Sequence, residues 1–299
     1  MLPIAFHPIY QHPLPDGHRF PMLKYELLPQ QLLHEGTAVA ADFFEPTACD
    51  IELVLAAHEQ EYVQNLIALQ IDPRAARKIG FPLSKELVKR ELIIAQGTVI
   101  GAVKAFEHKI AFNIAGGTHH AFPGHGEAFC LLNDQAIAAH YLLNKKLAKK
   151  ILIIDLDVHQ GNGTAAIFQN NTQVFTFSTH GKTNYPFKKE TSDLDIAFED
   201  HTSDAVFLKT IAEVIPQLIK EHKPDFIFYL AGVDILATDK LGKLGCTLEG
   251  CKTRDEIVLE LCAKHQIPVQ VSMGGGYSPE IKTIIEAHAN TYRVAKSIF

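Results

Sequence analysis

The stretch ILIIDLDVHQGNG, residues 151–163, carries a structural and a chemical signal in one short run. Ile151 to Ile154 are an unbroken series of aliphatic side chains, the pattern of a strand buried on both faces. Directly behind them stand Asp155, Asp157 and His159, followed by a glycine-bounded turn around Asn162. While the chain stays extended, the i, i+2, i+4 spacing projects all three polar side chains from the same face. Two acids and an imidazole at a strand end make a candidate metal site. Zinc accepts such oxygen and nitrogen ligands, and a catalytic zinc keeps three protein ligands and one open position. The same string also describes a solvated turn or a magnesium-type carboxylate pair.

Working outward, short runs rich in Ile, Val and Phe recur at Pro3–Phe6, Ala111–Ile114, Gln173–Phe177, Asp225–Leu230 and Pro268–Ser272, and each reads as a buried strand. Helical periodicity fills Lys85–Phe106, Asn133–Leu147, Ser203–Lys220, Leu248–Lys264 and Pro279–Ala289. Ser84, Ser203 and Thr247 stand where N-caps belong, and Ser278-Pro279 puts proline at a first helical position. Strand and helix alternate, which predicts an α/β fold: a mainly parallel central sheet with helices on both faces. No repeat or Gly/Ser linker divides residues 1–299, so one domain is expected.

In an open parallel sheet, ligands sit beyond the carboxyl ends of the strands. Those ends are unusual here. Ala111–Ile114 leads into Gly116-Gly117-Thr118-His119-His120, Asp225–Leu230 into Ala231-Gly232-Val233-Asp234, and Pro268–Ser272 into Gly274-Gly275-Gly276-Tyr277. Asp234, alone after an apolar strand, is the best partner for Asp157 and His159. Paired imidazoles beside a metal could take a proton from water and return it to a leaving group, although a His-His pair also occurs as a surface accident. Tyr277 could aim a hydroxyl at a developing oxyanion, or simply plug a loop against the core.

The 299 residues contain 28 Lys and Arg against 34 Asp and Glu, a formal charge of −6 that argues against a nucleic-acid partner. Apolar residues make up 47% and charged ones 21%, enough for a large core without staples. The N-terminus has no basic start, long apolar run or cleavage site, so no secretory signal is expected. No apolar run approaches the roughly 18 residues of a membrane helix. Five scattered cysteines without a C-x-x-C pattern fit reduced thiols, and a cytoplasmic location is expected. Sixteen histidines and no tryptophan leave open which imidazoles do chemistry.

Taken as a set, Gly116-Gly-Thr-His-His-Ala121, Glu127-Ala-Phe-Cys130-Leu-Leu-Asn133-Asp134, Asp155 to Gly163, Ala231-Gly-Val-Asp234 and Gly274-Gly-Gly-Tyr277 resemble the zinc-dependent histone deacetylases, in family order across most of the chain. Weaker echoes lie at His18–Tyr25 and His58–Tyr62. His159-Gln160-Gly161-Asn162 is similar to the class IV branch and its bacterial relatives. The resemblance implies the arginase/deacetylase fold and hydrolysis of acyl-lysine by metal-activated water. It implies that Asp157, His159 and Asp234 bind catalytic zinc, that His120 is the general base, and that His119 gives electrostatic support while bonded to Asp155. Tyr277 would donate to the oxyanion and Asn162 would sit behind His120. Where many relatives carry Asp, an amide there predicts a less basic His120.

The resemblance also implies a structural potassium ion on Asp155, Asp157, His159, Ser178 and Thr179, partly through main-chain carbonyls. It places Phe129, Tyr185, Leu241 and Gly275 in the substrate channel; the alternative is that Phe129 and Tyr185 are core aromatics, a reading of equal weight for Tyr185. Relatives that act on acetylpolyamines carry a glutamate gatekeeper where Leu241 aligns, which favours acyl-lysine in peptides or proteins as the partner. Deacetylation of acetylpolyamines or other small amides, and non-catalytic binding of acyl-lysine, are the alternatives. Acyl-chain length and oligomeric state are not determined by these residues.

Overall fold

Residues 151–155 form a strand with every side chain buried. Ile151 to Asp155 pair in parallel with Val174 to Ser178 on one side and Phe226 to Leu230 on the other. The structure, a computed structural model, describes residues 1–299. The strands are β1 (Ile4–Ala5), β2 (Phe43–Phe44), β3 (Ile110–Asn113), β4 (Ile151–Asp155), β5 (Val174–Gly181), β6 (Leu194–Phe198), β7 (Phe226–Leu230) and β8 (Val269–Ser272). They form one sheet in the order β2-β1-β3-β8-β7-β4-β5-β6, and every neighbouring pair is parallel. All residues of β3, β4, β7 and β8 are buried, as expected for parallel strands covered on both faces.

Ten helices complete the fold: α1 (Lys24–His34), α2 (Ile51–Val54), α3 (Gln60–Ile67), α4 (Pro73–Ile79), α5 (Lys85–His108), α6 (Asp134–Asn144), α7 (Asn162–Phe168), α8 (Asp204–His222), α9 (Leu248–His265) and α10 (Ile281–Ile298). Helix α5 packs against α6, β3 and β8, while α1, α10, α9 and α8 pack in succession, each on the next. The caps expected at Ser84 and Thr247 form: Ser84 Oγ accepts from Leu87 N at 3.0 Å and Thr247 Oγ1 from Gly250 N at 3.0 Å. Ser203 occupies an N-cap position but makes no side-chain cap bond. Pro279 stands outside its helix, because Glu280 is the N-cap and α10 starts at Ile281, then continues past the expected Ala289 to Ile298.

Two strands and five helices escaped the periodicity reading. Strand β2 is only two residues long, and β6 is a half-exposed edge strand whose Asp195 breaks the apolar run. In α1 an internal Pro29 mimics a turn signal. Helices α2, α3 and α4 have eight residues or fewer, too short to show a clear 3.6 period. Helix α7 begins inside the glycine-bounded turn at Asn162.

Candidate active site

The motif-bearing loops leave the carboxyl ends of β3, β4, β7 and β8 and meet at one edge of the sheet. Asp157, His159 and Asp234 converge there, all buried, with potential ligand atoms within 4.8 Å of one another. His159 Nδ1 lies 3.0 Å from Asp157 Oδ1 and 3.1 Å from Asp234 Oδ2. The simple extended-chain reading fails after Asp155, where β4 ends and the chain bends. Asp155 Oδ1 accepts from Asp157 N at 3.2 Å and Asp157 Oδ1 from His159 N at 3.0 Å, and these short bonds curl the loop. Asp155 therefore faces His119, while Asp157 and His159 face Asp234.

Backbone donors fix the two carboxylates further. Val158 N donates to Asp234 Oδ1 at 3.0 Å, and Gly275 N donates to Asp157 Oδ2 at 2.9 Å. A Cβ on Gly232 would overlap Asp157 Oδ2, and one on Gly275 would overlap Asp234 Oδ2, so only glycine lets these backbones approach. Burial by itself lowers the His159 pKa, but hydrogen bonds and charge from Asp157 and Asp234 outweigh it and lift the group to about 10. Burial and the charge of Asp157 raise Asp234. This cluster calls for a positive charge between its carboxylates, and two buried carboxylates with one imidazole are a donor set suited to a divalent ion such as zinc.

The paired histidines have contrasting partners. His119 Nδ1 lies 2.6 Å from Asp155 Oδ2, and His120 Nδ1 lies 2.6 Å from Asn162 Oδ1. Burial opposes a charge on both rings. For His119 the Asp155 carboxylate wins and the pKa rises. For His120 burial, reinforced by His119 and His159, pushes it well down. Their centroids are 4.1 Å apart, and His120 is 5.9 Å from His159. Burial, with Asp234 and Asp157 nearby, keeps the Tyr277 phenol well above its ordinary pKa and therefore a neutral donor. Its ring centroid lies 6.3 Å from that of His159.

Four supporting residues were not singled out from sequence. Glu127 Oε1 accepts from Asn162 Nδ2 at 2.7 Å, so a carboxylate stands behind the amide that touches His120. Asp239 accepts from Tyr277 N at 2.6 Å and from Leu241 and Gly242 N at 2.8 Å. Lys24 is fully buried, donates to Gly274 O at 3.1 Å, and has Nζ 5.6 Å from the Tyr277 ring centroid. Burial lowers its pKa to about 8. Arg254, also fully buried, bonds the Gly232 carbonyl, reaches Ala231 O and Leu156 O at 3.4 and 3.5 Å, and pairs with Asp255. The short Glu127–Cys130 motif and the turn before Gly242 were the available signals for the first two; Lys24 appeared only in a weak echo, and Arg254 in none.

Ser178 pairs in register with Asp155, and Thr179 Oγ1 next to it is buried without a hydrogen-bond partner. The mouth is a cavity of about 900 Å³ lined by His120, Phe129, His159, Tyr185, Leu241 and Tyr277, among others. Phe129 adopts a left-handed backbone (φ 69°) and packs on Phe20 and Phe81 at 5.1 Å, whereas Tyr185 stands edge-on to His120 at 5.1 Å. Gly275 lines a smaller inner cavity instead of the mouth, and its amide and carbonyl are already engaged with Asp157 and Val233. Of the histidines without an expected role, His18 braces this wall: its Nε2 lies 2.9 Å from Gly80 O and its ring stacks on Phe81.

Residues 18–292 match the histone deacetylase domain. An uncharacterized protein of Picosynechococcus sp. is 42% identical over 297 residues, covering 99% of each chain. Acetoin utilization protein AcuC of Staphylococcus aureus (strain MSSA476) is 29% identical over 291 residues, covering 90% of this chain and 74% of its own. Histone deacetylase 2 of Arabidopsis thaliana is 26% identical over 285 residues, covering 90% and 72%. The crystal structure of the HDA15 HD domain matches in fold, with a TM-score of 0.83 at 20% identity over 98% of this chain and 90% of its own. With the domain match extending over nearly the whole sheet and every loop of the site, this chain belongs to the histone deacetylase family and has the arginase/deacetylase fold.

Proposed function

We propose that this protein is a zinc-dependent hydrolase that removes acyl groups from lysine side chains. The observation that carries the reading is the buried Asp157–His159–Asp234 cluster, whose His159 lines the same cavity as His120 and Tyr277. Zinc held by these three residues would supply Lewis acidity, polarising an amide carbonyl and lowering the pKa of water towards about 7. Its charge would balance the two carboxylates, and an imidazolium at His119, paired with Asp155 at Nδ1, would orient a local dipole towards an anionic intermediate.

His120, held neutral, accepts the proton of the attacking water at Nε2 while Asn162 Oδ1 holds its Nδ1–H and fixes the tautomer. As the C–N bond breaks, His120 returns the proton to the lysine nitrogen. Tyr277, anchored through its own N–H to Asp239, donates its hydroxyl to the oxyanion. Phe129 and Tyr185 line the route for a methylene stem. Leu241 also lines that mouth and offers no carboxylate to a second amine, which supports acyl-lysine over acetylpolyamines. We assign a structural potassium ion to Asp155, Asp157, His159, Ser178 and Thr179; the unpartnered Thr179 Oγ1 supports it. The buried, unpaired state of all five cysteines supports a reducing, cytoplasmic setting.

The test is steady-state hydrolysis of peptides bearing lysine acylated from acetyl to myristoyl, with acetylputrescine alongside. Asp157→Ala is expected to lose zinc and turnover together, while Tyr277→Phe keeps zinc and loses most turnover. Hydrolysis of acetylputrescine alone, or full activity in Asp157→Ala, refutes the reading.

A further inference from the structure

The channel mouth is basic in a chain whose formal charge is −6. Arg19, Lys78, Lys188 and Lys240 all line it, all are exposed, and none has a carboxylate within 4.0 Å. They come from four distant segments: the loop before α1, the end of α4, the loop between β5 and β6, and the loop after β7. They therefore converge on the opening from separate parts of the chain, unlike a charged face along a single helix. The Arg19 guanidinium lies 5.0 Å from the centroid of Phe129, which lines the same opening.

Two carboxylates line the mouth against five cations: Glu127, which accepts the Asn162 amide, and half-buried Glu190, whose backbone is tied to Gln160. Lys243, a fifth cation on the rim, is drawn aside to Thr183 Oγ1 and Asp200. Unpaired cations around a low-dielectric cleft concentrate a positive potential there and draw anions to it. The deeper walls are aromatic, so the anion belongs beside the acyl-lysine and outside the channel. Phe187, 90% exposed and edge-on to Tyr185, adds an apolar surface for the flanking chain.

Building on the proposed acyl-lysine hydrolysis, we propose that the mouth selects acyl-lysines in acidic segments of a partner protein, with Asp or Glu within a few residues on either side, and disfavours Lys/Arg-rich segments. Like-charge juxtaposition of basic segments with this rim supplies the rejection.

The test uses the zinc-loaded full chain and two terminally capped peptides: acetyl-lysine flanked by two glutamates on each side, and the same peptide flanked by lysines. Dissociation constants are measured by calorimetry and kcat/KM by mass spectrometry at about 20 and about 300 mM salt. The acidic peptide is expected to bind about tenfold more tightly at low salt, with most of that advantage lost at high salt. Combining Lys78→Glu, Lys188→Glu and Lys240→Glu should reverse the order; the salt dependence of the unmutated protein tests the same point without a variant. Preferential binding of the acidic peptide with no hydrolysis of either supports the docking surface and overturns the hydrolysis reading. Hydrolysis of both without charge preference, or preference for the basic peptide, overturns this inference alone. Displacement of the acidic peptide by a single-stranded oligouridylate at lower concentration than by unlabelled peptide also overturns it, in favour of a nucleic-acid site.

Discussion

Replacing Asn162 by Asp tests the hydrogen-bonded row Glu127–Asn162–His120. An aspartate there, taken alone, makes His120 more basic by placing a carboxylate on Nδ1, now 2.6 Å from the amide oxygen. Glu127 Oε1, however, lies 2.7 Å from the Asn162 amide nitrogen, so the new carboxylate faces an existing one. With charge centres about 4 Å apart and an effective dielectric of about 20, repulsion is about 4 kcal/mol, equivalent to about three pH units. The pair should retain one proton, leaving the net charge behind His120 unchanged. Asn162→Asp alone should therefore move the acidic limb of the kcat/KM profile by less than about one pH unit. Combined with Glu127→Gln, it should raise that limb by about one to three units, because an unopposed carboxylate now stabilises imidazolium. The assay is hydrolysis of an acetyl-lysine peptide by zinc-loaded protein from about pH 5 to about pH 10. Equal shifts in the single and double variants would refute the role assigned to Glu127.

Other expected outcomes rest on separate parts of the structure. Gly275→Ala changes no ligand but pushes a methyl against Asp234 and to 2.8 Å from Asp157 Oδ2, so zinc affinity should fall by about 10- to 100-fold in competition with a chromogenic chelator; unchanged affinity contradicts the close packing. Arg254→Leu should destabilise by about 3–5 kcal/mol in urea titration, since it strips donors from the Gly232 and Ala231 carbonyls and leaves buried Asp255 without its cation; a loss below about 1 kcal/mol goes against this account. Glu35, bonded to Arg293 on α10, is pulled down to about 2 chiefly by those hydrogen bonds. Because its folded pKa lies below its unfolded one, this stabilisation is full above about pH 4.5 and disappears as pH falls towards about 2. Partial exposure limits it to about 1 kcal/mol, so Glu35→Gln should melt below the unmutated protein at pH 7, and the gap should narrow in acid; a gap constant with pH refutes the ionic contribution.

The central strands were legible because a strand buried on both faces needs a continuous apolar run, and β3, β4, β7 and β8 have one. Glycines, acids, histidines and Tyr277 directly after those runs marked the sheet edge where they meet, since parallel strands point their carboxyl ends the same way. Edge strands β2 and β6 were less legible, being short or only half-buried.

Sequence by itself therefore determined the α/β class, the sheet edge and the identity of the residues gathered there, because each follows from patterns within a few residues of a strand end. Tertiary structure decided what those residues face. Asp155 turns towards His119 and not into the Asp157–His159–Asp234 cluster because the chain bends as soon as β4 ends. Glu127 and Asn162 meet across 35 positions, Lys24 reaches Gly274 across 250, and four unpaired cations from separate segments line one opening. Charge and hydrogen-bond complementarity act through space, and over such separations no local pattern encodes which side chains will share a dielectric environment.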